Sequence, residues 1–237
     1  MSEFEPGEYR ILAVDDDTLV LEMIEEALIR GGFQVSTVTS AEDALDWMKR
    51  YGLPHLAVVD INMPFGMDGL ELCETVHTFT DLPIMMLTAI EDEETIIQAI
   101  DRCAEDYLTK PFQPGELIAR ARRILRRIGH FAFPLEAMIR IDERLAVDPA
   151  GCQIIVDGRL ETLTPTENKL LYILMRAAGK TVNSNYLLRR LWPHDTDHDD
   201  RLRVYIHRLR NKIEIDPAKP HYIRSQRGIG YIFWRGE

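Results

Sequence analysis

The sequence predicts an α/β protein in two parts. A doubly wound (βα)5 front half carries a parallel sheet ordered 2-1-3-4-5, and a smaller α+β half follows. Three observations predict this. Leu56-Ala57-Val58-Val59-Asp60 is an apolar run too short for a helix and too continuous for a half-exposed strand. It reads as the buried central strand of a parallel sheet. Runs of this kind alternate with helical spacing five times before residue 128 and then stop. Charge divides at the same place. Residues 1–128 hold 11 Lys and Arg against 25 Asp and Glu, a net of −14, whereas residues 129–237 hold 17 against 14, a net of +3. An acidic front half suits a divalent cation, and clustered arginines suit phosphate backbones.

At 237 residues the chain is long enough for one large or two modest domains. No apolar run approaches membrane-spanning length, and Met1-Ser2-Glu3-Phe4-Glu5 lacks the basic and apolar regions of a signal peptide. A cytoplasmic protein with no membrane partner is expected. Cys73, Cys103 and Cys152 are odd in number and lack metal-ligand spacing, which favours reduced thiols.

Arg10 to Val14 is a short apolar strand ending in Asp15-Asp16-Asp17. A helix from Thr18 to Arg30 follows, with Leu21, Ile24 and Leu28 on one face and Gly31-Gly32 closing it. The unit then repeats. Strand Gln34 to Val38 leads to helix Ala41 to Arg50 behind the cap Ser40, and strand Leu56 to Asp60 to helix Gly69 to Thr78. Strand Pro83 to Leu87 leads to a helix near Asp92 to Cys103, and strand Tyr107 to Thr109 to helix Pro114 to Arg127.

In the order 2-1-3-4-5 the first and third strands are neighbours at the switch point, so Asp15, Asp16 and Asp60 meet in one crevice. Three carboxylates there need a compensating cation. Mg²⁺ is the natural candidate, because it takes oxygen ligands and favours sites completed by a phosphate. Metal plus a carboxylate nucleophile describes phosphoryl transfer to an aspartate. Thr88 offers a hydroxyl and Lys110 a cation for phosphoryl oxygens, with Pro111 placed to fix the lysine through a cis bond. Singly, a helix cap explains Thr88, a surface charge Lys110 and an amphipathic rim residue Tyr107. Jointly, an acid pair, an acid, a hydroxyl and a lysine on four strand ends are hard to attribute to chance.

Residues 8–128 resemble a response-regulator receiver domain. The matching motifs are Ile11-Leu12-Ala13-Val14-Asp15-Asp16, Asp60-Ile61-Asn62-Met63-Pro64, Leu87-Thr88-Ala89 and Asp106-Tyr107-Leu108-Thr109-Lys110-Pro111-Phe112. The resemblance implies that Asp60 accepts phosphate from a sensor histidine kinase. It also implies that Asp16, Asp60 and the Asn62 carbonyl bind Mg²⁺, with Asp15 acting through water, and that Thr88 and Tyr107 swing inward on phosphorylation. It implies a dimer through the fourth helix, fifth strand and fifth helix, held by Glu105, Asp106, Glu116, Arg120 and Arg127. Two departures bear on this. Phe65-Gly66-Met67 is one residue longer than the family's loop beside the acceptor, and Ile96 replaces a usual basic residue facing Glu116.

A linker over 129–137 leads to residues 138–237, where short strands near Met138 to Ile141, Leu145 to Val147, Gln153 to Val156 and Leu160 to Leu163 read as a small antiparallel sheet. Thr164-Pro165-Thr166-Glu167 is a capping box opening a helix to Ala178, and a second helix spans Ser184 to Trp192. Residues 193–200 are acidic without metal-ligand spacing and read as a solvated loop. The third helix, Arg201 to Ile213, buries Leu202, Ile206, Leu209 and Ile213, leaving Arg201, Val204, Tyr205, Arg208 and Lys212 on another face. A hairpin of Tyr222 to Gln226 and Tyr231 to Trp234 follows, turning at Arg227-Gly228-Ile229-Gly230. Helix, turn, helix and an arginine-bearing hairpin make a winged helix, with the helix in the major groove and the hairpin at the neighbouring minor groove.

Residues 138–235 resemble the effector domain of the OmpR/PhoB subfamily through Leu163-Thr164-Pro165-Thr166-Glu167, Leu187-Leu188, Leu191-Trp192, Val204-Tyr205-Ile206-His207-Arg208-Leu209-Arg210 and Arg227-Gly228-Ile229-Gly230-Tyr231. Arg201, Val204, Tyr205 and Arg208 are expected at or near bases, His207 and Arg210 nearer phosphates, with Lys212 and Arg227 completing the interface. Asn168 stands where the family has phenylalanine. Arg203 stands where it has an acid, which adds a phosphate contact or alters site preference. The expected protein is a phosphorylation-gated transcription factor that binds double-stranded DNA as a dimer, with RNA polymerase a further partner. A Mg²⁺-dependent phosphohydrolase with Asp15 as nucleophile is the weaker reading, since Leu19 stands where valine or threonine is expected and the back half has no enzymatic role.

Overall fold

The structure is a computed structural model describing residues 5–88, 104–128, 133, 136–193 and 199–234. For the most part, it clusters into two compact units that divide after Gly129. In the first, β1 (Arg10–Val14), β2 (Gln34–Val38), β3 (Leu56–Asp60), β4 (Ile84–Thr88) and β5 (Asp106–Thr109) form one parallel sheet in the order β2-β1-β3-β4-β5. Helices α1 (Thr18–Arg30), α2 (Ala41–Tyr51) and α3 (Gly69–Phe79) follow the first three strands, and helix Pro114–Ile128 follows β5. The helix expected near Asp92 to Cys103, with Ile96, lies outside the described residues.

Every residue of β3 and β4 is buried, as a central strand covered on both faces requires. Burying an aliphatic side chain contributes roughly 1.5–3 kcal/mol. Leu56, Val58 and Val59 therefore outweigh the cost of delivering one partly desolvated carboxylate, Asp60, to the sheet's rim. Asp17 caps α1 by accepting from the Leu19 amide at 2.8 Å, and Ser40 caps α2 through the Asp43 amide. Helix α3 begins hard against the end of β3. A Cβ on Gly69 would stand 2.0 Å from the Asp60 carbonyl oxygen, so glycine is required there.

In the second unit, strands Ile139–Arg140, Leu145–Asp148, Gln153–Val156 and Arg159–Thr162 form an antiparallel sheet. Helix Pro165–Arg176 opens on the expected capping box, with Thr164 and Glu167 satisfying each other's backbone amides. Helices Ser184–Leu191 and Asp199–Ile213 follow; the latter begins two residues before the sequence pattern indicates. A strand not foreseen, Thr181–Asn183, pairs with Gly230–Phe233, which also pairs with Ile223–Gln226. The hairpin thus belongs to a three-stranded sheet whose close approach needs Gly230, since a Cβ there would lie 1.9 Å from the Val182 carbonyl oxygen.

Leu170, Leu174, Leu202, Ile206, Leu209, Tyr222 and Phe233 share this unit's core. The buried Glu214 carboxylate closes the third helix by accepting from the amides of His221, Tyr222 and Ile223 at 2.7, 2.9 and 2.8 Å. Asn168 keeps its amide satisfied through the Pro149 carbonyl at 2.8 Å, while its own oxygen is buried without a hydrogen-bond partner. Among the described residues no helix is long and apolar enough to cross a membrane.

Candidate functional sites

The register pairs Val14 with Val59, so the residues just past β1 and at the end of β3 emerge side by side. Asp15 and Asp60 are buried and Asp16 is exposed, and each offers a carboxylate oxygen within 4.8 Å of the others. Asp17, the third acid of the triplet, is spent on capping α1. The other two strand ends complete the crevice. Thr88 is fully buried at the end of β4 opposite Thr109, and Lys110 follows through a cis bond to Pro111.

The Lys110 ammonium donates to Asp15 Oδ2 at 2.7 Å and lies 3.0 Å from Asp60 Oδ1. The second contact is an ion pair without hydrogen-bond alignment, leaving that buried oxygen of Asp60 without a hydrogen-bonded donor. Asp15 Oδ1 accepts from the Asp17 amide at 3.0 Å. Burial raises the Asp60 carboxyl above its ordinary value, Asp15 and Asp16 add to the rise, and Lys110 opposes it. Burial alone would lower Lys110, but its hydrogen bond to Asp15 and the charge of Asp60 beside it outweigh that and hold it above its ordinary value. One ammonium against three carboxylates leaves the crevice short of positive charge. An all-oxygen donor set with an open oxygen on Asp60 fits a metal ion.

Beyond β3 the chain folds back on itself. The Ile61 carbonyl accepts from the amides of Met63 and Gly69 at 3.2 and 3.1 Å, leaving the Asn62 carbonyl with no donor among the described residues. The extra loop residue is held from the side. Gly66 has φ +84°, and the Met67 amide donates to Glu42 of α2 at 3.1 Å. Tyr107 is half-buried on β5, in register with Met86.

In the second unit Arg201, Val204, His207 and Arg208 are exposed on helix Asp199–Ile213, and Tyr205 is half-buried. A stack organises them. The Arg201 guanidinium lies 4.6 Å from the Trp192 ring centre, Trp192 packs 5.4 Å from Tyr205, and Arg208 lies 5.2 Å over Tyr205. The sequence presents Trp192 as a helix end and as one of the residues carrying the subfamily resemblance; its place in this array was signalled by no spacing rule.

Two of the expected DNA contacts are otherwise engaged. Arg210 turns inward, donating to the Ile223 carbonyl at 2.8 Å and to Ser225 Oγ at 2.9 Å, and so ties the helix to the hairpin. Lys212 donates to Glu167 at 2.8 Å and to the Thr162 carbonyl at 2.9 Å. The helical period puts Lys212 on the exposed face, but a buried capping-box carboxylate within reach recruits it. Arg227 stands exposed at the hairpin tip, before Gly228 with φ +74°.

Residues 11–122 match the family described as response regulator receiver domain, and residues 158–233 match transcriptional regulatory protein, C terminal. The transcriptional regulatory protein AfsQ1 of Streptomyces coelicolor is 36% identical over 222 residues, covering 93% of this chain and 96% of that protein. The transcriptional regulatory protein KdpE of Mycobacterium tuberculosis is 34% identical over 224 residues, with 94% and 98% covered. The chain belongs to the OmpR/PhoB branch of the response regulators. A solved OmpR/PhoB homologue, DrrB of Thermotoga maritima, is 30% identical, covering 95% of this chain and 99% of its own, with a TM-score of 0.46.

This response regulator is accordingly a phosphorylation-regulated, DNA-binding regulator of transcription, with a histidine kinase and DNA as the partners its two domains imply. The five residues assigned to a dimer face lie together on its receiver, already paired within the chain. Asp106 is held by Arg120 at 3.0 Å and by Arg123 at 2.6 Å, Glu116 by Arg120 at 2.6 Å, and Glu105 by Arg127. Arg123 is an addition to the expected set. The basic end of its helix reads in sequence as solvated charge.

Proposed function

We propose that Asp60 accepts the phosphoryl group from a sensor histidine kinase, and that the adduct drives this regulator to dimerise on DNA. The observation that carries the reading is the meeting of Asp15, Asp16 and Asp60 around an unbonded Asp60 oxygen, with Lys110 at 3.0 Å. Asp60 attacks phosphorus as the bond from phosphorus to the donor histidine nitrogen breaks. Asp16, Asp60 and the Asn62 carbonyl would hold Mg²⁺, with Asp15 acting through water, and the bound ion would supply positive charge against the transferring phosphoryl oxygens. Lys110 moves from the Asp60 carboxylate to a phosphoryl oxygen, and the Thr88 hydroxyl donates to another. Loss of those groups from their resting places lets Tyr107 turn inward and re-forms the face carrying Glu105, Asp106, Glu116, Arg120 and Arg127. Charges now paired within one chain exchange partners across a two-fold axis.

The dimer presents two winged helices to neighbouring half-sites, so the second binds at a raised effective concentration. Arg201, Val204, Tyr205 and Arg208 read bases in the major groove, with His207 at the backbone, the hairpin that bears Arg227 beside the minor groove, and RNA polymerase engaged alongside. The deciding experiment selects duplexes from a random pool with and without an acyl-phosphate donor and Mg²⁺. Enrichment that requires the donor and a phosphoryl adduct mapping to Asp60 support the reading. Equal enrichment without the donor, or an adduct on Asp15, overturns it.

Mg²⁺ alone is expected to raise the receiver's melting temperature. A site holding the ion only in the folded state adds about 2.7 kcal/mol at a hundredfold excess over its dissociation constant. Calorimetry of the wild type and of Asp16→Asn checks this. The rise should vanish in the variant, and an equal rise in both would place the ion elsewhere.

A further inference from the structure

On the second unit, a cavity of about 370 Å³ opens between the recognition helix Asp199–Ile213 and the hairpin. One wall carries Arg203, the other Ser225, Gln226 and Arg227, and the floor carries Asn183 and Asn185. We infer that this cleft is a clamp for a single backbone phosphodiester of duplex DNA, with Arg203 and Arg227 its two jaws. The inference rests on the DNA-binding reading above and assigns to that site a contact that reads no base.

The placement of Arg203 follows from two independent facts. It lines the cavity, and it lies seven residues before Arg210, two helical turns away on the same stripe. Arg210 is bonded to strand Ile223–Gln226, so this stripe is the one that faces the hairpin. The base-reading candidates Arg201, Tyr205 and Arg208 instead gather on the side of Trp192. The helix therefore has two chemically different flanks. One is an aromatic and guanidinium stack, and the other faces a polar cleft.

The charge balance of the cleft names its occupant. Arg227 makes no hydrogen bond or ion pair among the described residues, and Arg203 has only a 3.5 Å ion pair to the fully solvated Asp200. Each lining side chain that is polar but uncharged, Asn183, Ser184, Asn185, Ser225, Gln226 and Tyr231, can donate a hydrogen bond, and no carboxylate lines the cavity. Two guanidinium groups on opposite walls repel each other until an anion lies between them. When a helix occupies a major groove and a hairpin the adjoining minor groove, one sugar-phosphate backbone must pass between them. That puts a phosphodiester where the cleft needs charge.

The test uses the full chain and a duplex taken from the random-pool selection, with binding followed by fluorescence anisotropy across a salt series. Arg203→Gln and Arg227→Gln should each weaken binding about tenfold, alike on the selected duplex and on an unrelated one, and flatten the salt slope by about one unit. Methylphosphonates placed one at a time along the backbone should reveal one position where wild type loses binding about tenfold. The Arg203→Gln, Arg227→Gln double variant should lose nothing more at that position. An unchanged salt slope in both variants overturns the clamp, as does a loss confined to one base pair. Inorganic phosphate should compete no better than chloride at equal ionic strength; stronger competition would overturn the phosphodiester assignment in favour of a free anion. A wild type that binds no duplex at any salt would instead sink the DNA-binding reading itself.

Discussion

Asp60→Asn is expected to abolish phosphoryl uptake from an acyl-phosphate donor and, at the same time, to make the receiver melt at a higher temperature. Uptake fails because an amide supplies no anionic oxygen to attack phosphorus, and neither neighbouring acid replaces it. Asp15 is buried with its oxygens committed to Lys110 and the Asp17 amide, and Asp16 is exposed. The stability gain comes from the same geometry. Burial raises the Asp60 carboxyl and the two acids beside it raise it further, so the ionised fold carries an electrostatic cost that one Lys110 does not cancel. The neutral amide removes that cost, and Lys110 keeps its 2.7 Å bond to Asp15. A gain on the order of 1 kcal/mol corresponds to a melting shift of about 4–8 °C for a domain of this size. Mass spectrometry after donor treatment reads the first effect and calorimetry without Mg²⁺ the second. A variant that still takes up phosphate, or melts lower than wild type, contradicts the charge balance drawn here.

Much of this site was legible because parallel sheets announce themselves. Leu56 to Asp60 had to be buried on both faces, Asp60 therefore had to arrive at a strand end, and the strand order brought Asp15 and Asp16 beside it. What failed to be legible depended on partners distant in sequence. Helical period assigned Lys212 to an exposed face and the subfamily resemblance placed Arg210 near phosphates, but a long flexible side chain goes to the nearest unmet acceptor. Those acceptors, Glu167 and the Ile223 carbonyl, come from elements that only the folded chain brings near. Thr181–Asn183 is too short to show alternation, and its pairing to Gly230–Phe233 is a tertiary fact. Trp192 was hidden likewise, since its ring acts on a separate helix that starts at Asp199.

Lys212→Met separates a structural lysine from a DNA-reading one, and its expected effect is on stability. Glu167 is buried at the start of helix Pro165–Arg176, where it accepts from the Thr164 amide at 2.9 Å and from Lys212 at 2.8 Å. Removing the ammonium leaves a desolvated carboxylate with no cation, a change that costs about 3 kcal/mol, and the Thr162 carbonyl loses its donor as well. The winged-helix transition should fall by on the order of 10 °C. The pH dependence carries the sign. Burial would raise the Glu167 carboxyl, but Lys212 and Thr164 outweigh it and hold it below its ordinary value. A depressed folded value means the stabilisation is present above the ordinary carboxylate range and is lost as pH falls through the folded value. The gap between wild type and variant is therefore widest near neutrality and closes in acid, where Glu167 takes up a proton in both. Duplex binding at a temperature where the variant is fully folded should match wild type in affinity and in salt slope. A variant with an unchanged melting temperature and weakened DNA binding would return Lys212 to the interface, because a side chain released at no cost to the fold was never holding Glu167.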